Sequence, residues 1–92
     1  MAQSFIKDPD AVLDYKWDWS SWLESAETIS STTVTADSGL TVDSSSITDS
    51  STSVTAWLSG GTTNRTYDVV CHIVTSVDRE DDRTIIIRCK EQ

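Results

Sequence analysis

The clearest alternation of apolar and polar positions lies in the last third of the chain. Two runs rich in β-branched residues, 67–75 and 83–90, flank a polar segment at 76–82, which predicts a β-hairpin. A hairpin centred near Glu80 gives three inward cross-strand pairs: Thr75 with Ile85, Ile73 with Ile87, and Cys71 with Cys89. An isolated hairpin is only marginally stable in water, so this pattern indicates the central strands of a larger sandwich.

A second alternating run, at residues 11–23, predicts the first strand of the domain. Its large apolar side chains recur at every second position and form one predicted core stripe: Leu13, Tyr15, Trp17 and Trp19. Ser21 and Glu24 then fit the Ser-x-x-Glu capping pattern, which predicts one short helical turn after this strand.

The middle of the chain, residues 29–55, has the composition of a linker but the pattern of short strands. Threonine favours strands, apolar residues recur along the segment, and turn signals begin at Asp37, Asp43 and Asp49. We predict strands near 29–36, 40–42, 46–48 and 53–59, with the middle two as short edge strands. Short strands at this spacing are typical of an all-β sandwich, here with about seven strands.

The pattern of the strand near 53–59 and of the loop after it predicts a tryptophan that points outward and a tyrosine at a corner of the sandwich. Val54, Ala56 and Leu58 alternate inward, which turns Trp57 outward. Two glycines then allow a turn, and Tyr67 follows where immunoglobulin-like sandwiches place a tyrosine whose hydroxyl bonds to the backbone. The alternative is that Tyr67 is an ordinary core residue.

The sequence of residues 1–10 predicts an N-terminal arm, which precedes a sandwich domain at residues 11–92. Phe5 and Ile6 lie shortly before Pro9, which fixes its own φ and favours an extended conformation at the residue before it. Such an arm either packs on a neighbouring subunit or is a frayed terminus.

Length and charge exclude several classes of function. A chain of 92 residues forms one domain with a modest core and little surplus to line a deep catalytic cleft. Its formal net charge of −8 repels a nucleic-acid backbone, so we expect no nucleic-acid partner. No apolar run approaches the ~20 residues that span a bilayer, and the first residues lack the apolar region of a secretory signal. We therefore expect a binding or structural module made in the cytoplasm, with no membrane partner.

The residues that usually carry catalysis or bind metals are sparse. The one histidine, His72, is predicted to face outward, and no catalytic set, phosphate loop or metal-ligand spacing is present. The acidic segment from Asp78 to Asp82 lacks the spacing of a calcium loop, so a solvated hairpin tip is favoured over a cation site. Cys71 and Cys89 could form one bridge, but buried free thiols are favoured without a secretory signal. We expect no catalytic residue, metal or cofactor.

Two tryptophans lie outside the predicted rows of core residues. Aromatic residues are enriched where protein interfaces bury their centres, so Trp22 and Trp57 are candidate partner-binding residues. The alternative is structural: Trp22 caps the open end of the sandwich, and Trp57 packs on the outer edge of the first strand.

Four blocks of the chain carry a resemblance to a known family. The run from Lys7 to Leu23 fits the pattern K-D-P-D-x-x-L-D-Y-x-x-D-W-S-x-W-L. Further along, Leu58–Gly61, Tyr67–Val69 and Ser76–Ile87 are similar to the blocks L-S-G-G, Y-x-V and T-S-x-x-R-x-x-x-R-S-I-x-I. These residues resemble small tailed-phage virion proteins of the fiber-tail adaptor type. The chain departs from that pattern at Val77-Asp78, where glycine is usual, and at Thr84, where serine is usual.

The resemblance implies a non-enzymatic structural subunit of a tailed-phage virion with an immunoglobulin-like fold, made in the bacterial host cytoplasm. It implies an adaptor that joins tail and fiber, present in multiple copies in a symmetric assembly. The arm would then dock on the tail protein through Phe5, Ile6 and the corner formed by Asp8 and Pro9. A rival within the same class is a capsid decoration protein bound to the major capsid protein. A rival from another class is a carbohydrate- or host-surface-binding module in which Trp57 stacks on a sugar.

Overall fold

Alternating apolar and polar residues form seven β-strands in the computed structural model, which describes residues 3–90. In chain order the strands are β1 (Gln3–Lys7), β2 (Leu13–Asp18), β3 (Ile29–Ala36), β4 (Leu40–Thr48), β5 (Ser53–Gly60), β6 (Thr66–Thr75) and β7 (Glu80–Cys89). The two residues at each chain end lie outside the described range, so the predicted roles of residues 1–2 and 91–92 are not addressed by it. No helix between residues 3 and 90 is long and apolar enough to cross a membrane.

The strands form two sheets that pack face to face. One sheet has the order β1-β7-β6-β3 and the other has the order β2-β5-β4. β1 runs parallel to β7, and every other neighbouring pair is antiparallel. The first strand lies beside the last, and the strands between them cross from sheet to sheet, as in immunoglobulin-like sandwiches. The predicted fold class is therefore confirmed.

The core lies between the sheets and contains the aromatic residues of β2 and the tryptophan that directly follows this strand. Tyr15, Trp17 and Trp19 are buried, as the alternation predicts, and each such side chain contributes on the order of 1.5–3 kcal/mol when fully removed from water. The prediction for Leu13 is wrong, because its side chain is 40% exposed. Leu13 is the first residue of β2, which lies at the edge of the three-stranded sheet, and a side chain at the end of an edge strand has fewer neighbours than one inside the sheet.

The β6–β7 hairpin has the predicted strands but not the predicted register. Tyr67 lies opposite Ile87 and Cys71 lies opposite Arg83, so the hairpin is centred near Val77 and not near Glu80. The turn is tight because the Asp78 N–H donates to the Thr75 carbonyl at 3.0 Å, which lets β7 begin earlier than predicted. The shift moves the pairing by an even number of positions, so the predicted inward faces are retained.

The serine- and threonine-rich middle and the segment after it form three strands, β3 to β5, where four were predicted. The strand β3 has the predicted bounds, but the two short strands near 40–42 and 46–48 are one continuous strand, β4. A register shift between Val42 and Ser44 places a bulge at Asp43, which accepts a hydrogen bond from the Ser59 hydroxyl at 2.9 Å. The turn signal at Asp43 therefore marks a bulge within a strand and not the end of one.

The predicted short helical turn after β2 is not seen. The Trp22 and Leu23 N–H groups both donate to the Trp19 carbonyl, at 2.8 and 3.0 Å, and the chain then leaves the turn. The Glu24 N–H donates to the Glu27 carboxylate at 2.9 Å. That carboxylate, and not a capping box with Ser21, shapes this loop.

The predicted corner tyrosine is confirmed. The Tyr67 hydroxyl accepts a hydrogen bond from the Thr62 N–H at 2.9 Å, five residues upstream in the β5–β6 loop. Gly61 in the same loop has a φ of +98°, and a Cβ there would collide with the Cys89 sulfur. Gly61 is thus required by both the conformation and the close packing of this corner.

Both cysteines are buried free thiols. Burial raises the pKa of the Cys71 thiol to about 11. A thiol that is protonated and inaccessible at neutral pH is a poor nucleophile, so Cys71 acts as a small core residue.

Candidate protein-interaction surfaces

One end of the sandwich is closed by a buried ion pair between the β2–β3 loop and the β6–β7 turn. The Glu27 side chain is 1% exposed and receives two hydrogen bonds from the Arg79 guanidinium, at 2.6 and 2.9 Å. The Thr75 hydroxyl donates to the same carboxylate at 2.5 Å. These donors, the guanidinium first, lower the pKa of Glu27 to about 2.

Trp22 belongs to this closed end. The Arg79 guanidinium carbon lies 4.0 Å from the centre of the Trp22 ring, and the guanidinium also donates to the Trp22 carbonyl at 3.2 Å. Trp22 is half-buried and packs against the core. Its position is that of a residue capping the open end of the sandwich, and its role in binding a partner remains a prediction.

A second cation–aromatic contact lies next to the first. Trp19 is fully buried, and its indole N–H donates to the Asp81 carboxylate at 2.9 Å. The Arg83 guanidinium lies 4.9 Å from the Trp19 ring and donates to the Asp18 carbonyl at 2.8 Å. The tryptophan and arginine positions of the two motif blocks described above therefore meet in space, in two cation–aromatic contacts.

The acidic segment at Asp78 to Asp82 is not a solvated hairpin tip as a whole. Only Asp78 lies in the turn, whereas the other acidic residues belong to β7 and bond to side chains of the same sheet or of the core. Asp78 has a φ of +63°, a conformation that glycine adopts easily and aspartate tolerates. Within residues 3–90 no group of three or more His, Cys, Asp or Glu side chains could hold a metal ion.

His72 lies between two carboxylates on the outer face of the four-stranded sheet. Its Nε2 lies 3.0 Å from the Glu80 carboxylate, and its Nδ1 is hydrogen-bonded to the Asp82 carboxylate. A neutral imidazole can donate from one nitrogen only, so this arrangement favours the doubly protonated ring. Accordingly the pKa of His72 is raised above its ordinary value, first by the hydrogen bond to Asp82.

This histidine predicts a pH dependence of stability. Because the pKa of His72 is higher in the folded than in the unfolded chain, its ion pairs stabilise the fold fully below pH 6.5. That contribution is lost as the pH rises through the folded-state pKa. We expect His72→Gln to remove this part of the pH dependence of the melting temperature. An NMR titration of the single histidine checks the cause, and a midpoint at or below 6.5 would contradict it.

The N-terminal segment forms strand β1 of the sandwich. Only some of its predicted partner-binding residues are well exposed to solvent. Phe5 is half-buried, with its ring centre 5.1 Å from that of Tyr15, whereas Ile6 is 52% exposed. Asp8 and Pro9 form a tight corner, in which the Asp8 side chain accepts a hydrogen bond from the Asp10 N–H at 2.9 Å. A docking role for these residues remains a prediction.

Lys7 stabilises this corner through hydrogen bonds of its buried side chain. Its side chain is completely buried, and its ammonium donates to the carbonyls of Asp8 at 2.9 Å and Gly60 at 2.8 Å, with a longer contact to Pro9 at 3.5 Å. A buried charge is tolerated only when its hydrogen bonds are satisfied. Lys7 therefore joins the end of β1 to the end of β5.

Three exposed apolar side chains flank the proline corner along the chain. Ile6 precedes it on β1, and Val12 and Leu13, which are 54% and 40% exposed, follow it where β2 begins. Ile6 alternates with the buried Lys7 and so lies on the outer face of the four-stranded sheet, whereas Leu13 alternates with the buried Tyr15. Sequence reasoning found Ile6, placed Leu13 in the core and missed Val12.

Trp57 occupies a different surface. It lies on the outer face of the three-stranded sheet, is 44% exposed, and has Asp14 and Ser44 as its cross-strand neighbours. This confirms that Trp57 points outward. Its polar neighbours suit a partner protein or a sugar ring equally, so its partner-binding role remains a prediction.

Comparison with known proteins identifies the family. Residues 7–88 match the family described as podophage GP4 fiber-tail adaptor protein gp77. The chain belongs to this family. The match includes all of β2 to β6 and nearly all of β7, but it reaches only the last residue of β1. No curated protein matches the chain. For a member of this family, the exposed residues described above are the candidate partner-binding sites.

Proposed function

We propose that this chain is a non-enzymatic structural subunit of a podophage virion that joins the tail to its fiber. The family match over residues 7–88 carries the proposal. The structure supports it by presenting a sandwich with exposed side chains on two separate surfaces, Ile6 on the outer face of the four-stranded sheet and Trp57 on the outer face of the three-stranded sheet. An adaptor needs two such surfaces because it must contact a tail protein and a fiber at once.

The proposed partners are virion proteins, and the proposed site of action is the assembled particle. Several copies would be arranged symmetrically around the tail after synthesis in the host cytoplasm. Each copy then needs only modest affinity, since simultaneous contacts raise the effective concentration of every further contact. The partner-binding residues of this proposal are Phe5, Ile6, Asp8, Pro9, Trp22 and Trp57.

The decisive experiment locates the chain in the virion and then removes it. Cryo-electron microscopy of intact particles is expected to show a seven-stranded sandwich between tail and fiber. Particles assembled without the chain are expected to lack fibers while their heads remain complete. Density on the head shell would support a capsid decoration protein, and a full set of fibers in the absence of the chain would overturn the adaptor role.

The exposure of Trp57 favours a second candidate function, a carbohydrate-binding module. An exposed indole among hydroxyl and carboxylate side chains is the arrangement that stacks on a sugar face. A glycan array probed with the wild-type chain and with Trp57→Ala separates the two functions. Binding by the wild type alone would favour the carbohydrate module.

A further inference from the structure

We propose that the outer face of the three-stranded sheet binds an arginine side chain of a partner protein, which stacks on the indole of Trp57 and pairs with the carboxylate of Asp14. The proposal rests on the adaptor function only in taking the partner to be a virion protein. It deepens that function because it names the chemistry that Trp57 recognises. Arginine suits such a site because its planar guanidinium can stack on an aromatic ring and bind a carboxylate at once.

The pairing of β2 with β5 places a carboxylate beside the exposed indole. Asp14 on β2 is the cross-strand partner of Trp57 on β5, and both side chains are exposed. Directly opposed residues of an antiparallel pair lie on the same face with Cβ atoms about 5 Å apart. One incoming guanidinium can therefore reach the ring and the carboxylate together.

A second carboxylate lies on the same face, toward the opposite edge of the sheet. Asp43 occupies the bulge in β4, and its carboxylate accepts a hydrogen bond from the Ser59 hydroxyl at 2.9 Å. Ser59 lies two residues after Trp57, so the two side chains point to one face about 7 Å apart along β5. Neither Asp14 nor Asp43 forms an ion pair within the described residues. Trp57 thus has a carboxylate on each side that no cation of the chain neutralises.

The face as a whole carries an excess of negative charge. The charged side chains of its strands, together with that of the turn after β4, are Asp14, Lys16, Asp18, Asp43 and Asp49. The one cation among them, Lys16, already pairs with Asp49 at 2.8 Å and lies opposite Thr55 on β5. A cation brought by a partner would be attracted to this face and would meet no like charge opposite Trp57.

The chain itself combines the same groups elsewhere. The Arg79 guanidinium lies 4.0 Å from the centre of the Trp22 ring and pairs with the Glu27 carboxylate. A second arginine repeats this combination on the neighbouring motif tryptophan. Trp57 has the ring and the adjacent carboxylate of Asp14, but no cation lies over it within residues 3–90. A partner's arginine would complete the arrangement.

Charge separates an arginine from the other occupants of this ring. Polarity alone suits a sugar as well, but a neutral sugar would neutralise neither carboxylate beside the indole. A second copy of this chain would bring its own net charge of −8, which opposes its approach to an acidic face. A basic segment of a different protein is attracted by the same charges.

A contact at an exposed site is weak by itself, because water competes for both the guanidinium and the carboxylate. Several copies around the tail would present the site repeatedly to a symmetric partner, and simultaneous contacts would raise the total affinity. The electrostatic part of each contact is screened by salt. Binding is therefore expected to weaken as the ionic strength rises.

The test uses the full chain and a synthetic probe. The probe is an acetylated and amidated seven-residue peptide of alternating serine and arginine, and the control peptide carries citrulline, which is uncharged and similar in shape, in place of each arginine. We expect the arginine peptide at millimolar concentration to shift the NMR signals of the Trp57 indole and the Asp14 amide. We expect the citrulline peptide to bind at least about fivefold more weakly, because it has no charge. Absence of arginine-peptide binding, equal binding of the two peptides, or signal shifts confined to other strands would overturn the proposal.

Three variants locate the contact. Trp57→Ala removes the ring, Asp14→Asn removes the adjacent charge, and Asp68→Asn makes the same change of net charge at an exposed position of β6 in the other sheet. We expect the first two to bind the arginine peptide at least about fivefold more weakly and the third to bind it like the wild type. Wild-type affinity in folded Trp57→Ala or Asp14→Asn would overturn the proposal, as would equal weakening by Asp68→Asn. A neutral glycan that shifts the Trp57 indole when the arginine peptide does not would also overturn it.

The same variants separate this proposal from the adaptor function. Particles assembled with Trp57→Ala or Asp14→Asn are expected to contain at least about fivefold less of the chain, or of the fiber, than wild-type particles. Normal amounts of both would overturn the arginine proposal and leave the adaptor function intact. Absence of the wild-type chain from the tail would overturn the adaptor function, while the peptide result would still decide whether this face binds arginine.

Discussion

Replacing Arg79 with alanine is expected to lower the melting temperature by at least about 10 °C. The change leaves the Glu27 carboxylate buried, with a side chain that is 1% exposed, and removes the two hydrogen bonds of its only cationic partner among residues 3–90. It also removes the cation–aromatic contact over Trp22. Breaking one partner of a buried ion pair costs more than the pair contributes, because the remaining charge is uncompensated.

The matched control is Arg88→Ala. Arg88 is exposed and forms no ion pair among the described residues, so its removal deletes the same side chain without leaving a buried charge. We expect its melting temperature to stay within a few degrees of the wild-type value, measured by circular dichroism for both variants. Equal melting temperatures for Arg79→Ala and Arg88→Ala would show that the ion pair does not stabilise this end of the sandwich.

The loss of folding stability at acid pH tests the same ion pair independently. The pKa of Glu27 falls from 4.5 to about 2 on folding, so its contribution is present above pH 4.5 and is lost as the pH falls toward 2. Glu27→Gln cannot lose a charge in this range. We expect the wild type to lose more stability than Glu27→Gln between these pH values, and parallel acid profiles would contradict the assignment.

The strand interiors of this fold could be predicted from the sequence because alternation is a local property. Val54, Ala56 and Leu58 turn inward and Trp57 turns outward whichever strand pairs with them. The hairpin register could not be predicted in the same way. It depends on hydrogen bonds within the turn at Thr75 to Arg79, and alternation alone accepts any even shift of the pairing.

The contacts that close one end of the sandwich could not be predicted from periodicity at all. Arg79 and Glu27 are 52 residues apart, and Trp19 and Asp81 are 62 residues apart, so no local pattern relates them. The resemblance to a family was the one signal that singled out Trp19 and Arg79, and it did not mark their partners Asp81 and Glu27. A motif marks residues that matter without saying whether they bind a partner or hold the fold.

The candidate interaction surface was predicted only in part for a similar reason. Ile6 could be identified as a candidate because it is an apolar residue that lies shortly before a proline corner. Leu13 was placed in the core because it continues the stripe of Tyr15 and Trp17, and only the sheet order shows that its strand lies at an edge. Exposure at the end of an edge strand is decided by what covers it, and periodicity carries no information about that.

Trp19→Ala is expected to destabilise the fold by about 3–5 kcal/mol, which is a large share of the stability of a small domain. The indole is 0% exposed, so its removal leaves a cavity in the core between the sheets. Its loss also removes the donor to Asp81 and the ring beneath Arg83. Chemical denaturation monitored by far-ultraviolet circular dichroism measures the change.

The matched control for this variant is Trp57→Ala, which deletes the same side chain from an exposed position. We expect its free energy of unfolding to stay within about 0.5 kcal/mol of the wild-type value. Trp19→Phe separates the two contributions of the indole, because it keeps most of the ring volume and removes the N–H group that donates to Asp81. Since Asp81 remains partly exposed to water, this variant should lose much less stability than Trp19→Ala. If Trp19→Ala and Trp57→Ala were equally stable, the motif tryptophan at position 19 would not hold this fold together, and a direct role in binding a partner would have to explain it.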